Sequence, residues 1–337
     1  MNTPARIEPC AATPVEDLQA LLGPDLARVD ALIRARMASE HAPRIPEVTA
    51  HLVEAGGKRL RPLLTLAAAG MFGYRGSHQV RLAATVEFIH TATLLHDDVV
   101  DESARRRGRP TANLLWDNKS SVLVGDYLFA RAFQLMVEVG SLRVLDILSN
   151  AAAVIAEGEV LQLSAAGSLA TDEAVYLRVV RGKTAALFSA ATEVGALVAG
   201  ASEAEVAALR DYGDALGVSF QITDDLLDYG GASAALGKDI GDDFRERKMS
   251  LPVIRAVAAA DRAERAFWAR VIEKGEQREG DLTEAVALMA RHGSLESTRE
   301  TALDHAARAQ RTLEGAPEGP IRGHLRRLAG FIVARLT

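Results

Sequence analysis

Phe88-Ile89-His90-Thr91-Ala92-Thr93-Leu94-Leu95-His96-Asp97-Asp98-Val99-Val100-Asp101 is an apolar run that ends on a cluster of acids, and Val218-Ser219-Phe220-Gln221-Ile222-Thr223-Asp224-Asp225-Leu226-Leu227-Asp228 repeats the pattern. Such runs belong to buried helices, where residues four apart share a face. Asp97 and Asp101 therefore point one way, as do Asp224 and Asp228. Like charges at that spacing repel, and a buried carboxylate is costly unless something positive meets it. A solvated helix face is the ordinary fate of an Asp pair. Here both clusters lie inside apolar runs at one spacing, although Asp is a mediocre helix former. The pattern asks for a shared cation held by Asp97, Asp98, Asp101, Asp224, Asp225 and Asp228. Hard oxygen ligands with no nearby cysteine favour magnesium, or manganese, over zinc.

Outward from these runs the helical period is pervasive. Helices are predicted over 79–103, 121–139, 143–166, 172–199, 203–228, 250–259, 262–274, 281–291 and 295–314. A last amphipathic helix follows Pro317 and Pro320. There is no period-two strand, hairpin dipeptide, fixed-length repeat or low-complexity linker. Residues 1–15, with Pro4, Pro9 and Pro14, read as a loose arm, and 16–337 as one all-α domain, a helical bundle around a central cavity.

The 337 residues suffice for a large core, and 48% hydrophobic with 25% charged is an ordinary globular balance. A formal charge of -6 gives no general attraction to nucleic acid or anionic membrane. Cys10 is the single cysteine, so no intrachain disulfide forms, and a reducing compartment follows. No apolar stretch reaches membrane-spanning length and the first residues lack the order of a secretory signal, so the expected location is the cytoplasm.

Basic loops supply the complementary charge. Arg105-Arg106-Arg107-Gly108-Arg109-Pro110 follows the first acidic cluster, and Gly56-Gly57-Lys58-Arg59-Leu60-Arg61-Pro62 forms a second. Alone, either is an ordinary surface loop. Beside an acidic metal cluster, arginine forks and lysines fit multiply charged phosphate oxygens. Gly182-Lys183-Thr184 resembles the end of a phosphate-binding P-loop, but Leu177 stands where that motif needs glycine, so an NTPase is excluded. The stretch from Tyr229 to Arg247, rich in glycine and charge, reads as a mobile flap.

Taken together these residues resemble the trans-polyprenyl diphosphate synthase family. Glu87 to Ser103 is similar to its first aspartate-rich motif. Gly56 to Pro62, Arg106-Arg107-Gly108, Gly125-Asp126-Tyr127, Lys183-Thr184, Phe220 to Tyr229 and Gly237 to Phe244 match further blocks in order. The resemblance implies the all-α isoprenoid synthase fold, a homodimer, and magnesium between the acidic helices. It implies an allylic diphosphate held through the ions with Arg106, Lys183, Gln221 and Lys238, and isopentenyl diphosphate near Lys58, Arg61, His90 and Arg107. The implied reaction is repeated head-to-tail 1'-4 condensation. Asp97, Asp101 and Asp224, with Lys183 and Lys238, would stabilise the leaving diphosphate, and Thr184 and Gln221 the allylic cation. By the same analogy the departed diphosphate takes the proton, and flap closure excludes water. Two departures touch the flap. The family often reads Glu-Gly-Lys-x-Thr-Leu-Pro where this chain has Glu246-Arg247-Lys248-Met249-Ser250-Leu251-Pro252.

Ala92 and Thr93 lie about one turn below Asp97, where short-chain relatives carry bulky aromatics. Both are small, so this floor is open, and Phe133 on the next helix is a weak substitute whose expected role is core packing. With His90, this resembles the long-chain subgroup of octaprenyl, solanesyl and decaprenyl diphosphate synthases, with a product of C40–C50 such as a quinone side chain. The rivals are a shorter-chain farnesyl or geranylgeranyl diphosphate synthase, a terpene cyclase of the same broad fold, and a non-catalytic subunit of a heteromeric synthase. The cyclase usually lacks the second acidic cluster and the Gly-Gly-Lys-Arg loop, and the inactive subunit tends to lose acids or basic ligands that this chain keeps.

Overall fold

A computed structural model of the chain describes residues 13–54, 57–106, 108–230 and 241–335. The predicted arm lies largely outside them, and its end is already helical. Thr13 caps α1 (Pro14–Leu21) in a reciprocal box with Glu16, and Val15 and Leu18 are buried. α2 (Gly23–Met37), α3 (Arg44–Glu54) and α4 (Leu60–Met71) follow. α5 (His78–Val100) is almost wholly buried along its first half and carries the first acidic cluster at its end.

α5 stops at Val100, three residues before the predicted end, because Asp101 closes it and Glu102 turns left-handed at φ 49. The chain then forms a two-residue hairpin, β1 (Arg105–Arg106) against β2 (Arg109–Pro110), where no strand was expected. Gly108 at φ 76 makes the turn without the steric cost that a Cβ would bring. α6 (Ala112–Leu115), α7 (Asn118–Val139) and α8 (Leu142–Ala165) come next, the latter two capped by Asp117 and Ser141.

The helix predicted over 172–199 is three pieces. α9 (Glu173–Val180) passes into a π turn (Arg181–Ala185) and then α10 (Ala186–Val198). The cause lies in α8. A Cβ on Gly182 would sit 3.0 Å from the Gly158 Cα, and one on Gly158 would sit 2.6 Å from the Lys183 backbone nitrogen. Two glycines thus let the backbones touch at the point where the helix widens. Such π turns are frequent at functional sites.

α11 (Glu203–Tyr229) carries the second acidic cluster. α12 (Asp242–Arg245), α13 (Leu251–Ala259), α14 (Arg262–Trp268) with a second π turn, α15 (Asp281–Arg291), α16 (Ser294–Thr312) and α17 (Pro320–Ala334) complete the bundle. α10 is central, packing on α4, α5, α8 and α11. The π turn just before it reaches both acidic helices, since Thr184 bonds Gln221 on α11 and Lys183 lies in the field of Asp97 on α5, so the fold brings the two acidic clusters to one end of the bundle. Among the described residues no helix is long and apolar enough to cross a membrane.

Candidate active site

The two acidic clusters are built alike but do not present all their carboxylates. Asp98 is fully buried, and Arg106 grips one of its oxygens at 2.8 Å through both Nε and Nη2. Burial raises the Asp98 pKa, against the pull of Arg106. Asp225 is buried too: Tyr176 Oη donates to one oxygen at 2.6 Å and Gln221 Nε2 to the other at 2.8 Å. Asp228 accepts from the backbone N–H groups of Asp242 and Asp243 at 3.2 and 3.0 Å, which caps α12. The six acids expected to act alike are therefore divided. Asp98 and Asp225 are turned into protein contacts and Asp228 is engaged by α12, which leaves Asp97 and Asp101 for the gap, together with Asp224, whose one oxygen meets Arg335 at 3.2 Å. For Asp98 and Asp225 the separation is helical geometry, since a residue next in sequence points about 100° away; Asp228 shares the face of Asp224 and is set apart only by α12.

Asp97 carries the clearest signature. Its pKa is pushed up to about 7, chiefly by burial; Lys183 lowers it, while Glu159 and Asp101 raise it. Lys183 Nζ is itself paired with Glu159 at 2.8 Å. Among the described residues no three His, Cys, Asp or Glu side chains stand close enough to cage an ion by themselves. That suits a hard divalent cation that takes one or two carboxylates and completes its shell with substrate phosphate and water. The donors fit such an ion: oxygen only and desolvated, with Glu159 and Asp101 adding negative charge beside Asp97.

A pH dependence follows. Without a cation the folded chain keeps a proton on Asp97 that the unfolded chain releases between roughly pH 4 and 7, so this group lowers stability as pH rises through that window. The ion binds the ionised form. The rise in Tm on adding Mg2+ is therefore expected to grow from about pH 5.5 to 7.5 and level off above about 8. Scanning calorimetry with and without the ion checks this, and a pH-independent increment would contradict it.

Two cavities flank the acids. One, of about 300 Å³, is lined by Lys58, Arg59, Arg61, His90, Asp224 and Arg335 among others. Arg61 Nη1 meets His90 Nε2 at 3.1 Å and its guanidinium lies 4.5 Å from the Phe188 ring, which fixes the fork over the cavity. Arg59 pairs with Glu87, and Arg335 at the end of α17 reaches Asp224 at 3.2 Å. The other, of about 110 Å³, is lined by Lys183, Thr184, Gln221, Asp225, Asp243 and Lys248 among others. Thr184 Oγ1 donates to Gln221 Oε1 at 2.6 Å. Burial works against the charge on Lys248, but Asp243 and Glu246 hold its pKa above the ordinary value, with a contribution from Asp101. Lys248 thus ties the segment beyond α11 to the first acidic cluster.

Most of the residues singled out by sequence converge here: Lys58, Arg61, His90, Asp97, Asp101, Arg106, Lys183, Thr184, Gln221 and Asp224. Arg107, Lys238 and residues 231–240 of the flap lie outside the described residues. Arg247, where the family often has glycine, keeps a left-handed φ of 56, and its carbonyl accepts from Gly167 N at 3.1 Å. Phe133 is corrected: it is 44% exposed on the outer side of α7, so it neither floors a pocket nor packs in the core. Thr93 shares the open face of α5 with His90 and Asp97, whereas Ala92 is fully buried. Sequence reading missed Tyr176, Glu159, Lys248 and Arg335. Tyr176 stands seven residues before Lys183, one helical face away in principle, but Arg335 has no local signal.

Two acidic helices facing one gap, with a basic cavity on one side and a cavity holding Lys183 and Lys248 beside Asp225 and Asp243 on the other, define a helical enzyme that handles diphosphates. The Polyprenyl synthetase family profile matches residues 42–289. An octaprenyl diphosphate synthase from Haemophilus influenzae is 44% identical over 95% of this chain and 97% of its own length. The crystal structure of a decaprenyl diphosphate synthase from Rhodobacter capsulatus is similar at 68% identity and TM-score 0.94, covering 96% of this chain and all of that one. A polyprenyl synthase from Caulobacter crescentus, complexed with calcium and isoprenyl diphosphate, is 50% identical over 98% of this chain and 100% of its own, with TM-score 0.92. The chain belongs to the polyprenyl synthetase family, and it is a prenyltransferase with the all-α fold of that family.

Proposed function

We propose that this enzyme condenses isopentenyl diphosphate repeatedly with an allylic diphosphate to make an all-trans polyprenyl diphosphate of about C40–C50, with Mg2+ as the working ion. The observation that carries the reading is the set of carboxylates facing the gap, Asp97 and Asp101 from α5 and Asp224 from α11, between two separate cavities that each carry cationic side chains. These three would hold the ions, which draw charge from the allylic diphosphate and ease C–O cleavage. Lys183 and Lys248 offer fixed positive charge to the leaving group from the smaller cavity. Arg61, His90 and Lys58 hold the second diphosphate in the larger one, keeping its alkene next to the allylic carbon. Thr184 and Gln221 face the cation with oxygen atoms. The long product is supported by the small side chains at Ala92 and Thr93 and by the octaprenyl and decaprenyl relatives.

The test is product analysis after incubating the purified chain with isopentenyl diphosphate, each allylic starter in turn, and Mg2+. Dephosphorylated all-trans alcohols near C40–C50 are expected. A hydrocarbon from farnesyl diphosphate alone would replace this reading with a cyclase, and no product from the chain alone would mark a subunit that needs a partner.

A homodimer and a cytoplasmic location belong to the same reading; the location is supported by the single cysteine. The dimer is supported by α7 and α8, which are apolar outside as well as inside. Leu123, Phe133, Val137, Leu142, Val160 and Leu163 form an exposed apolar face, with Val137 at 68% exposure. Patches of this kind mark interaction sites. Val137→Glu is expected to halve the mass seen by light scattering while leaving the fold intact; an unchanged mass would move the interface elsewhere.

A further inference from the structure

We propose that Tyr176, a buried residue of α9 that borders the smaller cavity, is a positioning residue: by way of Asp225 it fixes which end of the Gln221 amide and which side of the Thr184 hydroxyl meet the allylic carbon. The inference rests on the condensation reading above and deepens it.

Four residues from three segments form one chain of hydrogen bonds. Tyr176 Oη donates to Asp225 Oδ2 at 2.6 Å, Gln221 Nε2 donates to Asp225 Oδ1 at 2.8 Å, and Thr184 Oγ1 donates to Gln221 Oε1 at 2.6 Å. All four line the smaller cavity, and Tyr176, Asp225 and Thr184 are buried. An ionised carboxylate only accepts, so the Gln221 NH2 must face Asp225 and its oxygen must face Thr184. The Thr184 hydrogen is then spent on that oxygen. What remains on these two oxygens is lone pairs, one on Gln221 Oε1 and those on Thr184 Oγ1, while the second N–H of the Gln221 amide stays at the nitrogen end, on the Asp225 side. A diphosphate calls for donors there, whereas a carbon that becomes positive calls for acceptors. The network sets the wall to the second polarity before substrate arrives, which is where oriented dipoles act without reorganisation cost.

Tyr176 is the anchor because it saturates the Asp225 oxygen that Gln221 does not use. Without its hydroxyl, a buried oxygen is orphaned, and the carboxylate is free to turn and let the amide follow. The lysines that bind diphosphate are untouched, so substrate affinity has no reason to change.

The test is a double-mutant cycle in steady-state condensation. Tyr176→Phe is expected to lower kcat about tenfold with both KM values within about twofold, as for loss of a contact realised in the transition state. Gln221→Met removes the amide. If Tyr176 acts through it, the double variant loses no more than Gln221→Met alone. Multiplying losses, or a change confined to KM, would overturn the proposal. Thermal unfolding of each variant identifies one that fails to fold; should Tyr176→Phe do so, Thr184→Val against Gln221→Met carries the same cycle from the other end of the network. If the native chain itself makes no prenyl product, the condensation reading fails; if it does and the cycle is multiplicative, only the role of Tyr176 fails.

Discussion

Asp97→Asn is expected to lower kcat on the order of 10³-fold, the largest single loss in the molecule. Three properties concentrate the effect there. Asp97 stands in the gap rather than in a protein contact. It is desolvated, and burial is the main reason its pKa is pushed up to about 7. It shares the field of Lys183, the residue that also borders the smaller cavity. The amide keeps the shape and removes the charge that would recruit an ion. Binding of Mn2+ in the presence of an allylic diphosphate, followed by electron paramagnetic resonance, is expected to weaken in parallel. The neighbouring Asp98→Asn should behave differently: it leaves Arg106 without its buried partner and is expected to cost stability first. If Asp97→Asn retained near-native turnover while Asp98→Asn lost metal, the division of the acidic cluster drawn here would be wrong.

The second large effect is on product length. Thr93 lies one turn below Asp97 on the open face of α5, with its hydroxyl bonded to the His90 carbonyl at 2.8 Å. Thr93→Tyr places a ring in the path of the growing tail. A turn rises about 5.4 Å, close to one isoprene unit, so growth is expected to stop at about C15–C20. Ala92→Tyr is expected to shorten the product too. Ala92 is fully buried, however, so that ring also overpacks the core, at a cost of about 1–3 kcal/mol. Chromatography of the dephosphorylated products, with unfolding midpoints for both variants, separates the two contributions. Unchanged length in both would put the floor of the pocket elsewhere.

The outcome for Phe133 shows why the pocket was the hardest part to foresee. On α7, both sides of the helix carry large apolar residues: Leu128, Leu135 and Met136 face in, while Leu123, Phe133 and Val137 face out. Apolar character alone does not say which side is the core when both sides carry large apolar residues. The unbroken helix read over 172–199 has a similar cause. Local propensity there is helical throughout, and the π turn arises from a contact with Gly158 on α8 that no short window contains.

Helix periodicity, the two acidic clusters and the basic loops determined the all-α bundle, the order of its elements and the family, because these depend on residues within a few turns of one another. Which acids face the gap was decided by tertiary structure alone. Arg106, Tyr176 and the start of α12 each arrive from a separate segment to occupy Asp98, Asp225 and Asp228. A carboxylate turned wholly into protein donors has nothing left to offer an ion, and which donors reach it is a property of the folded chain.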